Sequence, residues 1–208
     1  MDRLQTIFEH QNAQTRNFHK IHEENGLLLD PEIPVNLHTR EGSLMLHLGI
    51  HWIALEMTEA LLAPSSHRLE ELADTLHFLA EFCLLAGISF DIIPSGDEWS
   101  SAMSDRDRLE MLLTSSEEDP LVFSDFDTNG RMFLVSALHV ADLLKNKPWK
   151  ALLQDPDAFN HGEFERRVAG MWYWFGACVR TAGINSQQLF EAYLGKEQVN
   201  YERIESGV

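Results

Sequence analysis

The sequence predicts an all-α protein, a helical bundle built on a duplicated helical hairpin and carrying an acidic insertion. Three observations carry that expectation. Apolar residues recur at three- and four-residue intervals along most of the 208 residues, strand-like alternation is almost absent, and Gly or Pro marks the ends of the periodic runs. With 44% hydrophobic and 10% aromatic residues, the chain has too much apolar surface to stay disordered. Its length suits a single domain spanning 1–208 with a buried core.

In chain order, Leu4, Ile7, Phe8, Gln11, Phe18 and Ile21 place a first helix that runs to about 24 and stops at Asn25-Gly26. Pro31 and Pro34 make 27–40 an extended connector. Helices at about 42–63 and 66–86 follow, divided at Pro64-Ser65-Ser66, with Ser66 as N-cap and Gly87 as the stop. From 89 to 130, eleven acidic residues stand against Arg106 and Arg108, a net of −9 in a chain total of −17. That stretch reads as an insertion or lid with one helix at about 104–114. Helical pattern resumes at about 131–146, 161–182 and 185–200. Residues 70–88 also align with 166–184 at an offset of 96: Ala73 meets Ala169, Phe78 meets Trp174, and each copy ends in Ala-Gly-Ile.

A net charge of −17 repels a phosphate backbone and argues against general nucleic-acid binding. The longest apolar stretches are broken by His, Glu or Gly, and MDRLQTIFEHQ lacks the basic-then-apolar order of a signal peptide, so a soluble, cytoplasmic protein with no membrane partner is expected. Two cysteines, Cys83 and Cys178, supply neither a disulfide framework nor a thiolate zinc site.

Chemistry concentrates in four acids. Glu56 and Glu59 stand three apart on one predicted helix, Glu71 and Asp74 three apart on the next, and that spacing puts each pair on one helix face. Both helices are apolar around much of their circumference. Unpaired carboxylates there would be costly to bury, and the chain offers few nearby cations. A hard divalent cation such as Mg²⁺ resolves the conflict, since it takes carboxylate oxygens and keeps positions open for substrate phosphates. A solvated acidic stripe is the alternative reading.

The pattern Glu56-x-x-Glu59, eleven residues, then Glu71-x-x-Asp74 resembles the signature of the all-α nucleoside triphosphate pyrophosphohydrolases, the MazG-like superfamily. Glu71-Leu-Ala-Asp74-Thr-Leu-His77-Phe78 followed by Gly87-Ile88 is similar to the second metal motif of the dimeric dUTPases and phage dCTPase-dUTPases. The closing Tyr193-x-x-Lys196-x-x-x-Asn200-x-x-Arg203-x-x-x-Gly207 and the opening Ile7-Phe8-x-x-Gln11 resemble that family's two ends. The chain departs from it at Gln14, where an Asn is usual, at Leu61 to Arg68, which lack a Lys/Trp-rich segment, and at Ile204 and Val208.

The resemblance implies Mg²⁺-dependent hydrolysis of a pyrimidine deoxynucleoside triphosphate, dUTP or dCTP, to monophosphate and pyrophosphate. It implies Glu56, Glu59, Glu71 and Asp74 as metal ligands, Glu59 as general base, and Gln11, His77, Lys196, Asn200 and Arg203 as substrate-binding residues. It also implies a homodimer and a duplicated core whose second copy, with Arg167 and Gly170 in place of Glu71 and Asp74, binds no metal. The alternatives are a non-catalytic nucleotide-binding or regulatory protein on the same fold, or a pyrophosphohydrolase for another triphosphate.

Other motifs point elsewhere. Asp125-Phe-Asp127-Thr-Asn129-Gly130 reads like half of a calcium loop, but Ser136 stands where its bidentate Glu is needed, so an acidic turn capping the next helix is expected. His47 and His51 are spaced as in a zincin helix, yet Leu48 stands where the catalytic Glu belongs. The run Trp172 to Phe175 is expected in the core and at a subunit interface. No Gly-rich phosphate loop occurs.

Overall fold

Helix α1 (Arg3–Glu24) opens a computed structural model that describes residues 2–24, 32–92, 107–114, 122–144 and 159–206. It is followed by α2 (Arg40–Leu62), α3 (Arg68–Ala86), a 3-10 turn (Phe90–Ile92), α4 (Arg108–Thr114), α5 (Phe126–Leu143), α6 (His161–Thr181) and α7 (Ser186–Ser206). Among the described residues there is no strand, so the all-α class holds. No described helix is long and apolar enough to cross a membrane.

The helix starts follow from capping chemistry more than from apolar spacing. Thr39 accepts a bond from Gly42 N–H at 3.0 Å and starts α2 two residues ahead of the expected point. Ser66 does not cap α3. Residues 65–67 form a turn closed by His67 N–H on the Pro64 carbonyl at 2.9 Å, and the helix begins at Arg68 with no side-chain cap.

Gly87 ends α3 as expected, at φ 70°, in the left-handed region where a Cβ would be strained. Ile88 N–H bonds back to the Cys83 carbonyl at 2.8 Å and Gly87 N–H to the Leu84 carbonyl at 3.2 Å. Ninety-six residues on, Gly183 sits at φ 76°, Ile184 N–H bonds to the Val179 carbonyl and Gly183 N–H to the Arg180 carbonyl. Each partner is displaced by the offset of the sequence repeat. Helices α3 and α6 therefore end in the same Gly stop, and the hairpin of α2 and α3 packs on the hairpin of α5 and α6 through α2 and α5.

Helices α1 and α7 cover α3, and α4 packs on α6 and α1. The core between them holds Ile53, Met57, Leu76, Phe82, Phe133 and Phe175, with Trp172 buried and its indole N–H donating to Cys83 Sγ at 3.3 Å. Tyr173 and Trp174 from the same aromatic run are half-buried, and Trp174 stacks on Phe123.

The 89–130 segment is not one external insertion. Leu109, Leu112 and Leu113 of α4 are buried in the main core, and α5 begins at Phe126, so its first turn reaches back into the stretch read as a lid. Asp125 caps that helix by accepting from Thr128 N–H at 2.7 Å. Buried Asn129 binds both the N–H and the carbonyl of Phe123. The calcium-like motif is therefore a helix start, with Gly130 letting α5 come close to Leu61. The remainder of the segment, 93–106 and 115–121, and the connector residues 25–31 lie outside the described residues.

Candidate functional site

Helices α2 and α3 bring Glu56, Glu59 and Glu71 together, one oxygen of each lying within 4.8 Å of the others. Glu56 and Glu71 are half-buried and Glu59 is exposed. Asp74, one turn beyond Glu71, accepts a bond from Lys196 Nζ of α7 at 2.7 Å. So three of the four acids converge, and the fourth is tied to the lysine expected to hold phosphate.

Desolvation, then the charges of Asp74, Glu59 and Glu71, push the Glu56 carboxyl up to about 7 against the opposing pull of Lys196. Desolvation first, then Asp74 and Glu59, also raises Glu71. Desolvation acts to lower the Lys196 ammonium, but its bond to Asp74 and the charges of Asp74, Glu71 and Glu70 hold it above its ordinary value. One lysine among these carboxylates leaves them short of positive charge. The cluster offers only carboxylate oxygens, the donor set that suits Mg²⁺ rather than a soft metal.

Beside the acids opens a cavity of about 720 Å³, with Glu56, Asp74 and Lys196 on its wall. Its apolar lining includes Met45, Leu48, Trp52 and Phe78, the last two stacked at 6.0 Å and 17° between ring planes. Asn200 lines it too. The side chain of Arg203 lies outside the described residues.

Gln11 and His77 also reach the cavity, but they are bound to each other. His77 Nδ1 is 2.9 Å from Gln11 Oε1, and Nε2 is 3.1 Å from the Tyr193 carbonyl oxygen. Burial pushes this imidazole down to about 4, so it is neutral near pH 7 and carries one N–H for two oxygen neighbours. Rotating the Gln11 amide by half a turn, an exchange of near-isosteric groups, gives Nδ1 a donor and leaves Nε2–H for the carbonyl. The Tyr193 ring stacks on His77 at 4.0 Å and its hydroxyl donates to the Ile7 carbonyl at 3.2 Å. Gln11 and His77 therefore brace α1, α3 and α7 around the cavity.

Two polar groups on the wall have no such commitment. Gln14 is 1% exposed, and neither its amide oxygen nor its amide nitrogen has a hydrogen-bond partner among the described residues. Glu81 makes no hydrogen bond or ion pair among the described residues, and burial pushes its carboxyl up to about 7. Glu81 escaped the sequence reading. Its one signal in the sequence is to be the single acid inside the run Phe78 to Ala86, four residues after His77 and seven after Asp74 on the same face of α3, while its lack of a partner is a property of the packing.

Among the described residues, the hairpin of α5 and α6 shows no such cluster: Arg167 pairs with Glu163 at 2.6 Å, and Gly170 has no side chain. His47, spaced four residues from His51, bonds the Leu144 carbonyl through Nε2 at 3.1 Å. No protein-family model, curated protein or solved structure matches the chain.

Proposed function

We propose that this chain hydrolyses a pyrimidine deoxynucleoside triphosphate to the monophosphate and pyrophosphate in a Mg²⁺-dependent reaction. The observation that carries the reading is the convergence of Glu56, Glu59 and Glu71, of which Glu56 lines a cavity walled by stacked rings and amide side chains. Glu56, Glu59, Glu71 and Asp74 would hold the metal. When bound, Mg²⁺ supplies charge neutralisation for the triphosphate and water activation.

The remaining roles belong to the chain. Glu59, the most exposed of the three converging acids, accepts the proton of the attacking water. Water adds at phosphorus as the bridging bond between the α and β phosphates breaks, and pyrophosphate leaves. Lys196, released from Asp74 as substrate enters, meets the phosphates together with Asn200 and Arg203. Trp52 and Phe78 offer faces for the base. Arg167 and Gly170, which stand in the second hairpin at the repeat positions of Glu71 and Asp74, support one site per chain.

A homodimer belongs to the same reading. Leu44, Leu48, Leu55 and Leu62 form one exposed stripe of α2, Val135 and Leu138 expose a second apolar edge on the adjoining α5, and a second copy covers both.

Metal titration of the EDTA-stripped protein, followed by melting temperature, tests the centre of this proposal. Mg²⁺ should raise the melting temperature of the wild type, more so with a non-hydrolysable α,β-imido analogue of dUTP or dCTP, and should not do so when Glu56, Glu59 and Glu71 are all Gln. An equal shift in the triple variant would remove these residues from the site.

A further inference from the structure

We infer that Glu81 sets the base specificity of this cavity, accepting a hydrogen bond from the exocyclic amine of an aminopyrimidine such as cytosine and rejecting the O4 carbonyl of uracil. The inference rests on the nucleotide reading above and sharpens it to one class of base.

Position comes first. Glu81 lies seven residues after Asp74 on α3, about 10 Å along the helix axis at ~1.5 Å per residue. That separation carries the wall from the acids, where phosphates are proposed, to the part of the cavity where a base attached through a sugar would lie. Gln14 of α1 lines the same space.

The groups still free to bond then define the ligand. Gln11 and His77 satisfy each other and the Tyr193 carbonyl, so they have little left to offer a base edge. Gln14, buried with both amide atoms unpaired among the described residues, offers an NH₂ with two donors and a carbonyl acceptor. Glu81 offers carboxyl oxygens that no side chain or backbone N–H among the described residues meets. Burial raises this carboxyl only to about 7, so at pH 8 it is ionised and accepts only.

The two pyrimidine edges differ in how they meet this pair. Cytosine presents an amine that donates to Glu81 beside acceptors, N3 and O2, that can take the Gln14 amide hydrogens. Uracil places O4 against the Glu81 carboxylate, so two acceptors face each other and one of them is left unpaired. A buried acceptor left without a donor costs more than a lost contact, so selection should be strong.

The test compares dCTP with dUTP at pH 8 by kcat/KM for pyrophosphate release, in the wild type and in Glu81→Gln, and in parallel compares binding of 2′-deoxycytidine and 2′-deoxyuridine by calorimetry. A Gln at 81 can turn either its carbonyl or its NH₂ toward the base and should lose the discrimination. The expected result is a wild-type preference for dCTP of about tenfold or more, falling below about threefold in Glu81→Gln, with the nucleosides following the same order. Equal use of both triphosphates by the wild type, a preference for dUTP, or an unchanged ratio in the variant overturns the inference. The wild-type ratio decides even if Glu81→Gln folds poorly. If no triphosphate is cleaved, the hydrolase reading fails and nucleoside binding alone decides: discrimination that depends on Glu81 upholds its role, and no discrimination or no binding removes it.

Discussion

Single substitutions at the acids separate charge from shape. Glu59→Gln and Asp74→Asn each remove a charge with little change in volume, and each should lower turnover by at least ~100-fold while leaving the helical circular dichroism intact. The Asp74 change also frees Lys196, its partner at 2.7 Å, so its effect should fall on substrate affinity as well as rate. Gln14 makes the opposite point. Two buried, unpaired amide atoms cost stability, so Gln14→Met should raise the melting temperature, by about 1 kcal/mol of stability, while weakening nucleoside binding. Thermal melts and calorimetry on one preparation check both halves. Of these residues, the four acids were legible because their three-residue spacing is a property of the chain alone. Glu81 and the bracing of Gln11 by His77 were not, since whether a polar group is spent or free depends on which helices meet, and residues 66 apart in sequence decide it.

At the scale of the helices, apolar period and Gly stops located the seven helices of the described residues, with the largest differences at the start of α5, five residues ahead of the expected 131, and at the end of α7, six residues past the expected 200. The sequence places a capping acidic turn at Asp125 to Gly130 and the start of the next helix at about 131, whereas α5 begins at Phe126, with Asp125 as its cap and Asn129 tying Phe123 to its first turn. Helix contacts give two further expectations. A Cβ at Gly176 of α6 would stand 2.8 Å from the Leu112 backbone carbonyl oxygen of α4, an atom that cannot swing aside. Gly176→Ala should therefore lose roughly 1–2 kcal/mol, despite Ala being the better helix former, and urea denaturation measures that loss. Placing Glu at both Leu44 and Leu55 should turn a dimer into a monomer in sedimentation velocity, because it sets charges across the exposed stripe of α2. A wild-type monomer would contradict the proposed dimer.

For the whole molecule, raised carboxyls make stability fall as pH rises. Glu81 moves from an ordinary 4.5 to about 7 on folding, so the folded state holds that proton more tightly than the unfolded chain. The favourable contribution is complete below about 4.5 and is lost as pH climbs through about 7; Glu56, also raised to about 7, acts in the same sense. Glu81→Gln, always neutral, should melt like the wild type at pH 4.5 and above it at pH 8, by ~3 °C or more. A difference that does not grow over this range would contradict the burial of Glu81.

The central claim, that acids and cavity form one metal-dependent site acting on triphosphates, meets its most direct test in product analysis. Wild type and Glu59→Gln are incubated with each canonical deoxynucleoside triphosphate, with Mg²⁺ and with EDTA, and nucleotide, phosphate and pyrophosphate are resolved by ion chromatography. The account predicts monophosphate and pyrophosphate in equal amounts from a pyrimidine substrate, by the wild type, with Mg²⁺ only. Inorganic phosphate without pyrophosphate, or no cleavage of any triphosphate, would contradict it.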